Sequence, residues 1–139
     1  MRVADPKPPL TAELVWAEEL RFGATSGGNA IVVDCEGARG PSPMSLAAFA
    51  LSGCMAADVV AMLQKGRYEF TALRVSFSGD RMAEPPRRFT RISLRFHIVG
   101  AVPSDAVGRA IDLSREKYCS MFHSMRQDIE FVTTFEVRP

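Results

Sequence analysis

The stretch GPSPMSLAAFALSGCMAADVVAMLQKGR, residues 40–67, decides the fold of this chain. Asp58 is its single charged residue before Lys65. Ser42 is a favourable N-cap and Pro43 a favourable first helical residue, so the sequence predicts a long helix that begins there. Small side chains would allow another helix or a sheet to approach closely, and they are Ala47, Ala48, Ala50, Ala56, Ala57 and Ala61. Because this helix is apolar almost all round, we expect strands to wrap it or a second subunit to cover it.

A membrane span is the competing interpretation of the same stretch. About 20 apolar residues are enough to cross a bilayer. However, an acid such as Asp58 near the middle of a span costs roughly 2.5–3.5 kcal/mol on insertion scales. The apolar side chains are also mostly alanines. We therefore favour a buried helix over a membrane helix.

Composition indicates a soluble globular protein with one domain, residues 1–139. Hydrophobic residues make up 47% of the chain and charged residues 24%. The formal charge of +1 shows no basic excess that would indicate nucleic acid or an anionic membrane as a partner. The first residues lack the apolar segment of a secretory signal, and three cysteines are an odd number. We therefore expect reduced thiols and a cytoplasmic location.

The N-terminal third has the pattern of a hairpin. AELVWAEELRFGAT (12–25) and NAIVVDC (29–35) flank Ser26, Gly27 and Gly28, and two glycines suit a tight turn. We therefore predict two strands before the long helix.

Two later segments alternate between apolar and polar residues with a period of two. They are TALRVSFSGD (71–80) and RRFTRISLRFHIVG (87–100), which predicts two half-buried antiparallel strands with His97 facing outward. A second helix is predicted from Pro103 and carries Cys119, and IEFVTTFEV (129–137) is a final strand. The predicted order is β–β–α–β–β–α–β, an α+β fold with antiparallel sheet.

Two cysteines on the two predicted helices are the candidates for chemistry. A buried Cys usually serves packing, but Asp58 lies one turn after Cys54, where an unpaired acid is costly. If the helices pack together, Cys54 and Cys119 can meet. His123, four residues after Cys119, would suit a base or a cation near that thiol; a metal site with these cysteines is the alternative, and we expect no metal or other cofactor. Cys35, at a strand end, is expected to be a bystander.

Residues 40–67, residues 87–100 and AVGRAIDLSREKYCSM (106–121) together resemble the OsmC/Ohr superfamily of small thiol-dependent peroxidases, and its OsmC-like, YhfA-type branch in particular. The resemblance implies antiparallel sheets wrapped around two long central helices in an intertwined homodimer. It also implies reduction of organic hydroperoxides in oxidative stress defence. Cys54 would be the peroxidatic residue and Cys119 the resolving one, and an external dithiol would regenerate the pair.

The sequence departs from the better-studied members of that superfamily at two positions. Their glutamate, nine or ten residues before the first cysteine, corresponds here to Ser45 or Met44. Their arginine lies in the early strand and turn, where the nearest match, Asn29, is not cationic. Without a cation we expect Cys54 to attack slowly, and the substitutes to consider are Arg21, Arg67 and Arg115.

These departures leave a second hypothesis open, a non-catalytic or slowly redox-sensing dimer that binds a small hydrophobic ligand at its interface. For the enzyme hypothesis, the residues expected to support the two thiols are Asp58, Arg21, Glu116 and His123.

Overall fold

The computed structural model describes residues 4–139, which form an α+β fold with two three-stranded sheets. The chain divides into two compact units, one ending at Ala47 and the other beginning at Ala48. Each unit is described by itself below.

The sheet of the N-terminal unit has three strands in the order β1-β2-β3, all antiparallel. These strands are β1 (Glu13–Glu18), β2 (Arg21–Ser26) and β3 (Asn29–Asp34). The glycine turn is confirmed, with Gly27 and Gly28 at φ of 57° and 81°. The prediction of one long first strand was wrong, because the chain turns at Glu19 and Leu20, where Glu19 has a φ of 49°.

The long helix α1 (Pro43–Lys65) begins where the sequence predicts. The Ser45 backbone N–H donates to Ser42 Oγ at 3.1 Å, which satisfies one of the free donors of the first turn. The Ser42 hydroxyl also donates to Ser45 Oγ at 3.1 Å. Ser45 thus contributes a hydroxyl to this cap.

The C-terminal end of α1 is closed by two backbone hydrogen bonds. Tyr68 N–H donates to the Leu63 carbonyl at 3.0 Å, and Arg67 N–H donates to the Gln64 carbonyl at 2.9 Å. Arg67 takes the left-handed conformation in this cap, with a φ of 60°. This places Arg67 more than three helical turns beyond Cys54.

Only one stripe of α1 is buried. It consists of Leu51, Met55, Val59 and Leu63, at intervals of four residues. The other side carries exposed small residues, which are Ala50, Gly53, Ala57 and Ala61. Phe49 is also 64% exposed. By length and composition α1 is able to span a membrane, but the core helix of a soluble protein meets the same criterion.

The sheet of the C-terminal unit has the order β4-β5-β6. These strands are β4 (Phe70–Arg81), β5 (Phe89–Gly100) and β6 (Glu130–Arg138). The antiparallel pairing of β4 with β5 is confirmed. The expectation of antiparallel pairing was wrong for β6, which runs parallel to β5.

Strand β5 forms the centre of the core in this unit. Its inward side chains are almost fully buried, and they are Ile92, Leu94, Phe96 and Ile98. His97 lies on the opposite face, as predicted, with Nδ1 2.7 Å from the Glu136 carboxylate.

The second predicted helix is not continuous. Helix α2 (Ser104–Leu113) passes into a π-helical turn at Ser114–Tyr118, and a short helix α3 (Ser120–His123) follows. Cys119 was predicted to lie within the helix, but it has extended backbone angles (φ −73°, ψ 101°) and N-caps α3. This interruption of the helix determines the direction of the Cys119 side chain.

Candidate functional site

Cys54 and Cys119 are neighbours in the C-terminal unit. Cys54 lies midway along α1 and is half-buried, whereas Cys119 is fully buried. Their thiols are close enough that Cys54 raises the pKa of Cys119. The structure therefore brings together the two thiols that the sequence singled out.

The environment of Cys119 favours the protonated thiol. Burial raises the pKa of Cys119 to about 11, and the adjoining Cys54 adds to the increase. The Phe122 backbone N–H donates to Cys119 Sγ at 3.3 Å and opposes the rise only in part. At neutral pH Cys119 is therefore a thiol and not a thiolate.

Asp58 is connected to the segment that holds Cys119. Its Oδ2 accepts a hydrogen bond of 2.7 Å from the Ser114 hydroxyl, and Ser114 is fully buried. The Ser114 carbonyl in turn accepts a hydrogen bond of 2.8 Å from the Cys119 backbone N–H. Ser114 is a residue of this site that the sequence analysis did not single out. The signal that could have identified it is a serine on the second predicted helix that could serve as a hydrogen-bond partner for Asp58.

Arg21 belongs to the N-terminal unit, and carboxylates occupy its guanidinium. It contacts Asp34 at 3.3 Å, Glu18 at 3.0 Å and Glu19 at 3.3 Å. Asp34 is only 1% exposed. Arg21 therefore serves a local ion-pair network in its own sheet.

Two of the other predicted supporting residues point outward. Glu116 lies in the π-helical turn and is exposed. His123 is also exposed, with its ring edge-on to Phe122 at a centroid distance of 5.3 Å. Its backbone N–H donates to the Cys119 carbonyl at 3.1 Å. The hydrogen bond between His123 and Cys119 is thus one between their backbones.

Arg115 packs on aromatic rings. Its guanidinium carbon lies 5.0 Å from the centre of the Phe131 ring and 5.8 Å from that of Phe122. Across residues 4–139, no side-chain hydrogen bond or ion pair joins Cys54 to an arginine or a lysine. In that same range, His, Cys, Asp and Glu side chains form no group of three or more suited to a metal ion. Cys35 is exposed at the end of β3.

This arrangement is suited to dithiol–disulfide chemistry. One thiol is partly accessible and the other is enclosed beside it, so an oxidised Cys54 would meet Cys119 as its neighbouring nucleophile. The C-terminal unit alone supplies both sulfurs.

Comparisons with known proteins identify the family to which the chain is similar. Residues 36–134 match the family described as OsmC-like protein. Protein YhfA of Escherichia coli strain K12 is 40% identical over 131 residues, which cover 92% of this chain and 98% of YhfA. The crystal structure of a hypothetical protein from Aquifex aeolicus VF5 is 26% identical, with a TM-score of 0.88 over 95% of this chain and 98% of that one.

A more distant solved structure shares the fold. It is an organic hydroperoxide resistance protein OsmC from Legionella pneumophila, 12% identical, with a TM-score of 0.71 over 96% of this chain and all of that one. These matches confirm the α+β fold that the sequence resemblance implies.

Proposed function

This chain belongs to the OsmC-like protein family, and from that premise we propose that it is a thiol peroxidase that reduces organic hydroperoxides through Cys54 and Cys119. Membership of the family indicates a redox or stress-defence role. The finer assignment to hydroperoxides is supported by the two neighbouring thiols in the C-terminal unit.

The observation that carries the proposal is the unequal burial of the two sulfurs. Cys54 is partly accessible, so a hydroperoxide can approach it. Cys119 is fully buried, and burial raises its pKa to about 11, so it is a poor first nucleophile at neutral pH. This asymmetry supports Cys54 as the peroxidatic residue and Cys119 as the resolving one.

The proposed reaction has three steps. The Cys54 thiolate attacks the distal oxygen of ROOH, the O–O bond breaks, the alcohol leaves with a proton, and Cys54 becomes a sulfenic acid. The Cys119 sulfur then attacks the Cys54 sulfur as its own proton is lost, water leaves, and a disulfide forms. An external dithiol reduces this disulfide by two thiol–disulfide exchanges and is itself oxidised to a disulfide. No bound cofactor is required for this sequence.

A homodimer in the cytoplasm is part of the proposal. The exposed face of α1 is lined by alanines and Gly53, which would let a second copy approach closely. In the N-terminal unit, Leu14, Val15 and Trp16 are 56%, 61% and 65% exposed. Apolar surface of this kind usually indicates a protein partner. The three free cysteines support a reducing compartment.

Reaction of the reduced protein with cumene hydroperoxide tests the assignment. We expect rapid loss of two thiols per chain and a disulfide between Cys54 and Cys119, identified by peptide mass spectrometry. The Cys54→Ser variant should not react, whereas Cys119→Ser should stop at a sulfenic acid that dimedone traps. Cys35→Ser is the matched control and should behave like wild type. Retention of both thiols over minutes would refute the proposal.

The second candidate function is a dimer that binds a small hydrophobic ligand or senses redox state slowly. The observation that favours it is the occupied guanidinium of Arg21, bound to Asp34, Glu18 and Glu19. Ser45, at the position of the relatives' glutamate, also supplies no carboxylate. This candidate predicts slow peroxide turnover in wild type and a rise in Tm with an apolar ligand, and Cys54→Ser should keep that rise.

A further inference from the structure

The π-helical turn at Ser114–Tyr118 changes which residue faces the core. In α2 and its continuation, Val107, Ala110, Ile111 and Ser114 are buried at α-helical spacing. A continued α-helix would bring Tyr118, four residues after Ser114, to the same face. Instead Tyr118 is 50% exposed and Cys119 is fully buried. The extra residue of the turn thus moves the buried position from 118 to 119.

Backbone geometry confirms this shift. Cys119 N–H donates to the carbonyl of Ser114, five residues earlier, at 2.8 Å, which is the bond that closes a π-helical turn. The chain then becomes extended at Cys119, whose sulfur accepts from Phe122 N–H at 3.3 Å. The position of this sulfur therefore depends on where Ser114 is held.

Asp58 holds Ser114 from the neighbouring helix. The Ser114 hydroxyl donates to Asp58 Oδ2 at 2.7 Å, and Ser114 is fully buried while Asp58 is partly buried. Asp58 lies one turn after Cys54 on α1. A continuous set of contacts thus runs from the helix that carries Cys54, through Asp58 and Ser114, to the backbone of Cys119.

We propose that the hydrogen bond between Asp58 and Ser114 is a positioning device that fixes the π-helical turn and so keeps Cys119 within disulfide-bonding reach of Cys54. Asp58 and Ser114 are positioning residues in this role, since neither is required to touch a substrate. The inference rests on the proposed function for its biological meaning, but it concerns only the pairing of the two sulfurs. A hydrogen bond to a charged acceptor is strong enough to hold such a turn.

Equilibration with glutathione measures this pairing without any peroxide. In a Cys35→Ser background, the protein is incubated in mixtures of reduced and oxidised glutathione, and the fraction of the Cys54–Cys119 disulfide is read by maleimide labelling and mass spectrometry. We expect Asp58→Ala and Ser114→Ala to lower the disulfide equilibrium constant about tenfold. Asp58→Asn keeps an acceptor oxygen and should restore most of the wild-type value.

Ser52→Ala is the matched control. Ser52 lies on α1 two residues before Cys54, and its buried hydroxyl is without a hydrogen-bond partner among the described residues. This variant should leave the equilibrium constant unchanged. The Tm of every variant is measured in parallel, and incubations are run below the unfolding transition.

A purely structural role for the bond would lower Tm in Asp58→Ala and Ser114→Ala without changing the disulfide constant, and that result would overturn the inference. Failure of wild type to form the Cys54–Cys119 disulfide would overturn it too. A wild-type protein that forms this disulfide with glutathione but ignores cumene hydroperoxide would refute the peroxidase while leaving the positioning role intact.

Discussion

Pulse alkylation of the reduced protein tests how strongly burial lowers the reactivity of the Cys119 thiol relative to that of an exposed thiol. Maleimides react with the thiolate, so the labelling rate follows the deprotonated fraction and the access of the reagent. The pKa of Cys119 is raised from 9.0 to about 11, so its thiolate fraction at pH 8 falls from about one in ten to about one in a thousand. The pKa alone therefore slows labelling about a hundredfold, and complete burial of the sulfur slows it further.

The assay is a short pulse of N-ethylmaleimide at pH 8, followed by a quench, digestion and quantification of each cysteine peptide. Exposed Cys35 is the internal reference for an accessible thiol. We expect Cys119 to be labelled at least a hundredfold more slowly than Cys35, and to become reactive when the protein is unfolded in urea.

Labelling of Cys119 within tenfold of Cys35 in the folded protein would refute this reasoning. It would mean that the sulfur is reached by solvent, and then Cys119 would compete with Cys54 for a hydroperoxide. The same pulse on Cys54→Ala isolates the contribution of the neighbouring sulfur, because alanine at position 54 has no group that can hydrogen-bond to Cys119.

Three further predictions concern the N-terminal unit and the start of α1. Ser42→Ala removes the N-cap of α1 and should lower the free energy of unfolding by about 1 kcal/mol, measured by urea denaturation. Gly40→Ala should cost about 1–3 kcal/mol in the same measurement, because an added Cβ would clash with the Val32 carbonyl oxygen. Asp34 accepts backbone hydrogen bonds from Arg39 and Glu36, which hold its pKa below the ordinary 3.8. Its stabilising contribution is therefore present above about pH 4 and lost as the pH falls through the lowered pKa, so urea titrations at decreasing pH should show a decline that Asp34→Asn flattens.

The sequence predicted correctly those elements that are determined by residues close to one another along the chain. Ser42 and Pro43 fixed the start of α1 because a cap involves only the first turn. Alternation around Leu94 and Phe96 predicted a half-buried strand because side-chain direction in a strand follows from the backbone itself. The turn at Gly27 was predicted for the same reason.

The features that the sequence analysis did not predict leave no local signal in the sequence. Glu19 takes a left-handed conformation that its residue type rarely adopts, so the turn after β1 left no Gly, Pro or Asn signal. The parallel pairing of β6 with β5 depends on the order and direction of the strands in the sheet. The alternation of apolar and polar residues within a strand carries no information about either. The π-helical turn adds one residue to a helical pattern, and the partner of Ser114 in that turn is 56 residues away along the chain.

Activation of Cys54 is the step that separates the two candidate functions. Helix α1 begins eleven residues before Cys54, so its dipole, which acts within the first turn, gives this sulfur little help. Arg21 is engaged by carboxylates in its own sheet, and Ser45 contributes a hydroxyl to the helix cap. A partner subunit is then one possible source of a cation for Cys54.

The pH dependence of the reaction with cumene hydroperoxide distinguishes these cases. A cysteine that a cation holds as thiolate reacts at a rate that is nearly constant above about pH 6, whereas an unassisted cysteine reacts faster as the pH rises toward about 8.5. A profile that is flat above about pH 6 would support the peroxidase. A profile that rises toward about pH 8.5 would mean that no cation holds Cys54 as thiolate, and would favour the slow sensor or ligand-binding dimer over the peroxidase.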